Sequence, residues 1–250
     1  LPPAASACCC IFLMCLAFSA IGRAWPGQFS AGVQLVHVYA SVAGADGQPL
    51  TGLPAEAFVV EEDGHPQPIT TFAAGELPLS LAIAIDRSFS VPAPRLRDMV
   101  AAVGELLTAL RIDDRTLLLA VGSQAEVLAR LGASRADTRA ALARVTSWGS
   151  TPLHDAVIAG IDAIEPAGGR RALVLLSDGT DRYSEASAAT AIAHARQRDV
   201  IVYPVSATAT PSGWLAELAA ATGGRSLTAT GGRPMRAAML SLPEALRHQS

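Results

Sequence analysis

The stretch LSLAIAIDRSFS, residues 79–90, begins with an apolar run, LSLAIAI, and then turns polar within one residue. A strand without regular polar alternation is buried on both faces, as in a parallel sheet that is covered by helices. Similar runs follow as TLLLAV at 116–121, ALVLL at 172–176 and VIVYPV at 200–205. The four runs therefore predict the strands of a central, mostly parallel sheet.

Segments with one apolar face separate the four runs, which predicts helices. These helices are expected at 95–110, 153–164, 184–199, 212–222 and 234–249. Pro243 is expected to break or kink the last of them. Residues 125–131 follow a short turn and predict an antiparallel edge strand. For residues 78–250, strand and helix in alternation predict a Rossmann-like α/β fold, with a doubly wound sheet and helices on both faces.

Two different segments precede the predicted α/β domain. Residues 33–74 contain short β-type runs and turn-rich sequence, which predicts a small β unit. Three or four short strands cannot bury a core alone, so this unit is expected to pack on the main domain. Residues 1–24 are apolar, contain all 4 cysteines and predict a secretory signal peptide. A membrane anchor is the alternative, because residues 1–22 carry no charge and are long enough to span a bilayer.

The composition excludes several classes of protein. All 19 basic residues of the chain are arginines. A chain without lysine has no P-loop lysine, no Schiff-base lysine and no phosphate-pairing lysine of a protein kinase. The formal net charge is −3 and no basic cluster stands out, so a nucleic-acid partner is not expected.

Side chains with oxygen atoms follow two of the predicted strands. Asp86, Ser88 and Ser90 alternate directly after the first run, and Asp178 follows ALVLL in the sequence LSDG. Ligands of a doubly wound sheet bind beyond the carboxyl ends of its strands, so both carboxylates are expected at the same edge. Thr151, in WGSTPLHDA, adds a third segment. Carboxylate and hydroxyl oxygens are hard ligands, so the pattern predicts a site for Mg²⁺, or for Mn²⁺ or Ca²⁺.

Three motifs resemble the metal-ion-dependent adhesion site of von Willebrand factor A domains: D-x-S-x-S at 86–90, G-S-T-P-L-x-D-A at 149–156 and L-S-D-G at 176–179. Their order and spacing match that family. The resemblance implies three hydroxyl ligands and two carboxylates near the ion: Ser88, Ser90, Thr151, Asp86 and Asp178. FVVEEDGHPQPITTF, at 58–72, is similar to the β extension of secreted bacterial proteins of this family.

The resemblance implies a protein–protein interaction or adhesion domain rather than an enzyme. A protein partner would offer an Asp or Glu carboxylate to the ion, and Phe89 and Trp148 become candidate partner contacts. With the N-terminal signal, the chain is expected to be secreted or periplasmic, or anchored in the membrane at its N-terminus. Two alternatives stay open: a metal-assisted hydrolase with Asp86, Asp178 and His154 as the nearby base, and a structural component of an envelope assembly.

Each polar residue of the predicted site also has a plain structural interpretation. Serines and Asp–Gly pairs are common in turns. Thr151 before Pro152 is a good helix N-cap, with proline at the first helical position. Asp155 is expected in the first turn of its helix, outside the site, and His154 on the surface. The convergence of five oxygen side chains at one sheet edge favours the metal site.

Overall fold

The computed structural model describes residues 38, 42, 50, 52–72, 78–210 and 212–248. Every helix and strand given below belongs to the compact unit Tyr39–Ser250. The predicted signal peptide or anchor at 1–24 lies outside the described residues, and so does most of the predicted β unit before residue 52.

A short hairpin precedes the main sheet. After a 3-10 turn at Ala55–Ala57, strand β1 (Val60–Glu62) pairs antiparallel with β2 (His65–Gln67). Asp63 and Gly64 join the strands with φ values of 51° and 78°, as a two-residue hairpin turn requires. No residue between 52 and 72 is buried. That the whole β unit packs on the main domain stays a prediction.

The central sheet has six strands in the described part of the chain: β3 (Leu79–Asp86), β4 (Arg115–Val121), β5 (Ala125–Ala129), β6 (Arg170–Ser177), β7 (Ile201–Ser206) and β8 (Leu227–Thr228). Their order is β5-β4-β3-β6-β7-β8. All neighbours are parallel except β5, which is the predicted antiparallel edge strand. The four apolar runs became β3, β4, β6 and β7, so the predicted sheet is confirmed. The two-residue strand β8 was not predicted.

Helices cover both faces of this sheet, as predicted. They are α1 (Ala93–Ala109), α2 (Arg135–Leu142), α3 (Leu153–Ile164), α4 (Ala188–Gln197), α5 (Gly213–Ala221) and α6 (Gly232–His248). One core cluster joins α1, α2 and α6 to Leu81, Ile83 and Ile85 of β3. The other joins α3, α4 and α5 to Ala82 and Ala84 of the same strand. Successive residues of β3 thus face opposite helical layers, which explains the absence of polar alternation.

Two helices differ from the prediction. Helix α2 was missed because it is short and highly charged; its sequence signal is the N-cap Ser134, whose side chain accepts a hydrogen bond from Asp137 N. Helix α6 continues through Pro243 to His248, so the expected break is wrong. Leu242 and Leu246 are buried in the core, and this packing stabilises the turn after the proline.

The strand order places a crevice at one edge of the sheet. The chain leaves β3 towards β4 on one side, whereas it leaves β6 towards β7 on the other. The carboxyl ends of β3 and β6 therefore flank the point at which the winding reverses, where ligands of doubly wound sheets bind. Asp86 ends β3 and Ser177 ends β6 at this point.

Candidate metal centre

Asp86 is the most deeply buried carboxylate of the candidate site, with 0% of its surface exposed. Its Oδ1 accepts a hydrogen bond from Ser88 N at 3.0 Å, and its Oδ2 accepts one from Ser177 Oγ at 2.7 Å. Burial raises the pKa of the Asp86 carboxyl above its ordinary value, and the nearby charge of Asp178 adds to the rise. The hydrogen bonds from Ser88 and Ser177 oppose it. An added positive charge would therefore stabilise the ionised form.

Ser88 and Ser90 bring their hydroxyls together beside Asp86. The two Oγ atoms lie 3.0 Å apart, within a turn in which Val91 N donates to Ser88 O. Ser88 is buried and Ser90 is exposed. The D-x-S-x-S segment thus forms a cluster of oxygen atoms that runs from the buried carboxylate to the surface.

Ser177 is a site residue that the sequence interpretation missed. Its Oγ donates to Asp86 and accepts a hydrogen bond from Gly179 N at 3.0 Å, so it links the ends of β3 and β6. Its place in the site follows from strand register: Ile85 pairs with Leu176, which places Asp86 and Ser177 next to each other on neighbouring strands.

Asp178 lies directly after Ser177 and is half-buried. Its Oδ1 accepts a hydrogen bond from Thr180 N at 2.9 Å, so one carboxylate oxygen makes the predicted turn interaction. Gly179 has a φ of 84°, and a Cβ there would lie 2.8 Å from Cβ of Ser212. The turn therefore requires glycine after the aspartate, and it holds the carboxylate at the edge of the sheet near Asp86.

Thr151 does not cap helix α3, so its interpretation as an N-cap is wrong. The helix begins at Leu153, and its first amides donate to Oδ1 of Asp181, from Leu153 N at 2.7 Å and from His154 N at 3.1 Å. A carboxylate is favoured at this position because the N-terminus of a helix carries partial positive charge. Thr151 is 1% exposed, and its hydroxyl makes no hydrogen bond with the described residues.

Backbone hydrogen bonds join the Thr151 segment to the loop after β3. Trp148 N donates to Arg87 O at 2.7 Å, and Phe89 N donates to Gly149 O at 3.1 Å. Gly149 has a φ of 84°, and a Cβ there would lie 2.4 Å from Ser123 N, in the turn between β4 and β5. Only glycine fits this close approach. The two loops that carry Ser88, Ser90 and Thr151 are therefore held side by side.

Phe89 and Trp148 lie exposed on these two loops. Phe89 is 74% exposed and Trp148 is 48% exposed. The guanidinium of Arg87 lies 5.3 Å from the centre of the Trp148 ring and forms an ion pair with Glu126 at 2.6 Å. Their role as partner contacts stays a prediction, and their exposure is what that role requires.

His154 and Asp155 bind the neighbouring loop instead of the site. The His154 ring packs edge-on against Trp214 at 4.6 Å, and Nδ1 lies 3.1 Å from Ala186 O. His154 is half-buried, so its surface placement is wrong, because the loop after β6 and helix α5 cover it. Asp155 lies in the first turn of α3 as expected, and its carboxylate accepts hydrogen bonds from Glu185 N and Ala186 N.

The set of oxygen donors fits a hard divalent cation. Among the described residues, no group of three or more His, Cys, Asp or Glu side chains could hold a metal ion. The candidate centre instead combines two carboxylates with three hydroxyls, a set that suits Mg²⁺, Mn²⁺ or Ca²⁺ rather than a His- or Cys-ligated metal. The buried Asp86 carboxylate is a group whose charge such an ion would compensate.

Sequence comparison supports the predicted resemblance. Residues 81–180, which include all five candidate ligands, match the family model of the von Willebrand factor type A domain. Among curated proteins, none matches this chain in sequence.

Solved structures with the same fold come from several sources. A von Willebrand factor type A protein from Catenulispora acidiphila has a TM-score of 0.60 and 22% identity. The match covers 70% of this chain and 43% of the Catenulispora protein. An aerotolerance-related membrane protein from Bacteroides fragilis has a TM-score of 0.55 and 14% identity, over 67% of this chain and 98% of that one.

Proximal thread matrix protein 1 from the mussel byssus has a TM-score of 0.57 and 17% identity. It is described with zinc in its metal-ion-dependent adhesion site (MIDAS) motif. That match covers 67% of this chain and 46% of the mussel protein. At such identities these neighbours support the fold alone. The α/β domain of this chain thus has the fold of von Willebrand factor type A domains, and residues 81–180 within it match the model of that family.

Proposed function

We propose that this chain is an extracytoplasmic interaction domain that binds protein partners through a divalent cation. The cation would be held at the carboxyl edge of the sheet by Asp86, Ser88, Ser90, Thr151 and Asp178. The observation that carries the proposal is the buried Asp86 carboxylate, which accepts hydrogen bonds only from Ser88 and Ser177 among the described residues. A buried carboxylate without a cationic partner is costly, and a bound cation removes that cost.

A bound cation would supply a positive centre to which a carboxylate of another protein can bind. The two aspartates balance the charge of a divalent ion, and five side-chain ligands would leave a position of an octahedral coordination shell for one more oxygen ligand. Ser90 and Asp178 are not buried, which leaves one side of the donor cluster open to solvent. An Asp or Glu side chain of a partner has the hard oxygen atoms for this open side.

The choice among ions follows from the same donor set. Carboxylate and hydroxyl oxygens favour Mg²⁺, with Mn²⁺ and Ca²⁺ as the next candidates. The mussel byssus protein of the same fold is described with zinc in its MIDAS motif, so Zn²⁺ belongs in any comparison of ions.

Phe89 and Trp148 would contact the partner beside the ion. Both are exposed, and aromatic side chains often dominate the binding energy of protein interfaces. Arg87 lies against the Trp148 ring and is paired with Glu126, which restrains the orientation of that ring. The partner surface we expect therefore has a carboxylate with apolar groups next to it.

The proposed location outside the cytoplasm depends on the N-terminal sequence. Residues 1–22 form an apolar, uncharged stretch like that of a secretory signal. Among the helices that the structure describes, none has the length and apolar character of a membrane span. One neighbour in fold is described as an aerotolerance-related membrane protein. N-terminal sequencing of the secreted or periplasmic chain tests this part: a mature N-terminus near residue 25 supports export, and an intact N-terminus in the cytoplasm contradicts it.

Hydrolysis has less support than binding. The hydrolase alternative needs a base beside the ion, and His154 was its candidate. The His154 ring instead contacts Asp181, Ala186 and Trp214. We therefore propose binding as the function of the site.

Calorimetric titration of chelator-treated protein with Mg²⁺, Mn²⁺, Ca²⁺ and Zn²⁺ tests the ion site. We expect saturable binding of at least one of the first three ions, and its loss in Asp86→Ala. Far-ultraviolet circular dichroism of the variant checks that it is folded. Equal binding by the wild type and the variant would contradict the proposal.

A further inference from the structure

We propose that Asp181 is a positioning residue for the cation site, although it is not one of the five candidate ligands. Its carboxylate fixes the start of helix α3 to the loop after β6, and so sets Thr151 against Asp178. This inference rests on the proposed cation site and concerns how that site is held in shape.

Asp181 takes the place of an N-cap from outside the helix. Its Oδ1 accepts hydrogen bonds from Leu153 N at 2.7 Å, His154 N at 3.1 Å and Ser184 Oγ at 2.6 Å. The residue before the helix, Pro152, provides no side-chain cap. One carboxylate therefore satisfies two amides that a helix start otherwise leaves without partners.

The contact is reciprocal, because α3 also binds the loop. Asp155 in the first turn of α3 accepts hydrogen bonds from Glu185 N and Ala186 N, both at 2.9 Å. Directly after Asp181, the amide of Arg182 donates to Thr151 O at 2.6 Å. The loop and the helix start are thus joined at several consecutive residues on each side.

The backbone between these contacts is strained. Tyr183 has a φ of 69°, which is in the left-handed region that bulky residues avoid, and its side chain is 81% exposed. No packing of the side chain explains this conformation. Such strain persists where the surroundings fix the backbone on both sides, and here Asp181 and Ser184 supply those restraints.

Two of the candidate ligands lie within a few residues of these contacts between the start of α3 and the loop after β6. Thr151 precedes the capped Leu153 by two residues, and Asp178 precedes Asp181 by three. Thr151 belongs to the segment before α3, and Asp178 to the segment after β6. If the contacts of Asp181 are lost, the Thr151 hydroxyl and the Asp178 carboxylate can move apart. Metal sites lose affinity when the residues that orient their ligands are changed.

The test compares three variants of the full-length chain by calorimetric titration with Mn²⁺ and by urea unfolding. Asp181→Ala removes the acceptor, whereas Asp181→Asn keeps an oxygen that can cap the helix and removes the charge. Ser134→Ala is the control, because Ser134 caps α2, which packs on the face of the sheet opposite to α3. We expect the Kd for Mn²⁺ to rise about 10- to 100-fold in Asp181→Ala and by less than about threefold in Asp181→Asn and Ser134→Ala.

The outcomes separate this inference from the proposed function. If the wild type does not bind Mn²⁺ or any other divalent ion, the proposed function fails. If the wild type binds and Asp181→Ala binds equally well, the positioning role is wrong. If Asp181→Asn weakens binding as much as Asp181→Ala, charge rather than position is the cause, which also overturns the inference.

If Asp181→Ala does not fold, a second variant, Ser184→Ala, tests the same role. Ser184→Ala removes the hydroxyl that donates to Asp181 and accepts from His154 N at 3.1 Å, and it leaves the carboxylate in place. We expect this milder change to raise the Kd for Mn²⁺ severalfold while Ser134→Ala does not. Equal Kd values in the two serine variants would contradict the positioning role.

Discussion

At the scale of single residues, the site depends on how the buried Asp86 carboxylate is held. Its two oxygens are oriented by different partners, the amide of Ser88 on its own loop and the hydroxyl of Ser177 on the next strand. These hydrogen bonds stabilise the ionised form, and burial and Asp178 oppose it. The carboxylate is therefore oriented before any cation arrives, but its charge is incompletely compensated.

Ser177→Ala tests the orientation of Asp86. The change leaves Asp86 Oδ2 and Gly179 N without their partner, so we expect a loss of about 1–3 kcal/mol in the free energy of unfolding. We also expect weaker Mg²⁺ binding. Urea unfolding and calorimetric titration measure the two effects.

Ser80→Ala is the matched control for that prediction. Ser80 is a buried serine at the other end of β3, and its Oγ donates to Gly168 O at 2.9 Å. Its replacement should lower stability by a similar amount and leave Mg²⁺ affinity unchanged. Equal losses of Mg²⁺ affinity in both variants would show that the effect of Ser177→Ala is general.

The raised pKa of Asp86 predicts a pH dependence of stability in the metal-free protein. Between the ordinary and the raised pKa, the folded state holds a proton that the unfolded chain has released. Protonation thus stabilises the folded state as the pH falls through the raised pKa, and ionisation destabilises it above that value. Asp86→Asn resembles the protonated form and should be more stable than the metal-free wild type at neutral pH.

Urea unfolding across a pH series, with a chelator present, measures this difference. We expect the advantage of Asp86→Asn to shrink as the pH falls through the raised pKa of the wild-type carboxyl. An advantage that stays constant, or that grows towards acid, would contradict the assignment of the raised pKa to Asp86.

At the scale of elements, sequence patterns predicted what depends on neighbours along the chain. The runs at 79–85 and 172–176 became strands because both faces of the sheet are covered, and a continuous apolar run indicates that directly. Ser177 and Asp181 escaped prediction because their partners are distant in sequence: 91 residues separate Ser177 from Asp86, and 28 separate Asp181 from Leu153. Contacts of that kind are set by register and loop packing, which no local pattern encodes.

Gly149→Ala tests the packing of the segment before α3 against the turn between β4 and β5. The added methyl group would lie 2.4 Å from Ser123 N, in a residue with a φ of 84°. Gly132→Ala is the control, because Gly132 has a φ of 81° and nothing lies within 4 Å of a Cβ there. We expect the control to lose about 1–2 kcal/mol of unfolding free energy through backbone strain alone.

Gly149→Ala should lose clearly more than that, because steric overlap adds to the same strain. It should also weaken Mg²⁺ binding, since Thr151 follows Gly149 by two residues. Urea unfolding of both variants gives the comparison. Equal losses in the two variants would contradict the close packing of Gly149 on the turn between β4 and β5.

At the scale of the whole molecule, the doubly wound sheet determines where the candidate site lies. Asp86, Thr151 and Asp178 are far apart in sequence, and the reversal of winding between β3 and β6 brings their segments to one crevice. The strand–helix alternation predicted that edge, and the five candidate ligands lie on segments that reach it. The hydrogen bonds from the start of α3 to Asp181, and the exposure of Tyr183, depend on how the loops pack and were not predicted from the sequence.

A crystal structure of the full-length chain grown with Mn²⁺, with anomalous diffraction recorded at the manganese edge, shows directly whether a divalent cation binds at Asp86. We expect an anomalous peak beside the carboxylate of Asp86 and the hydroxyls of Ser88 and Ser90, and no such peak in Asp86→Ala crystals. The absence of a peak there in the wild type, or a peak bound only elsewhere on the molecule, would contradict the proposed cation site.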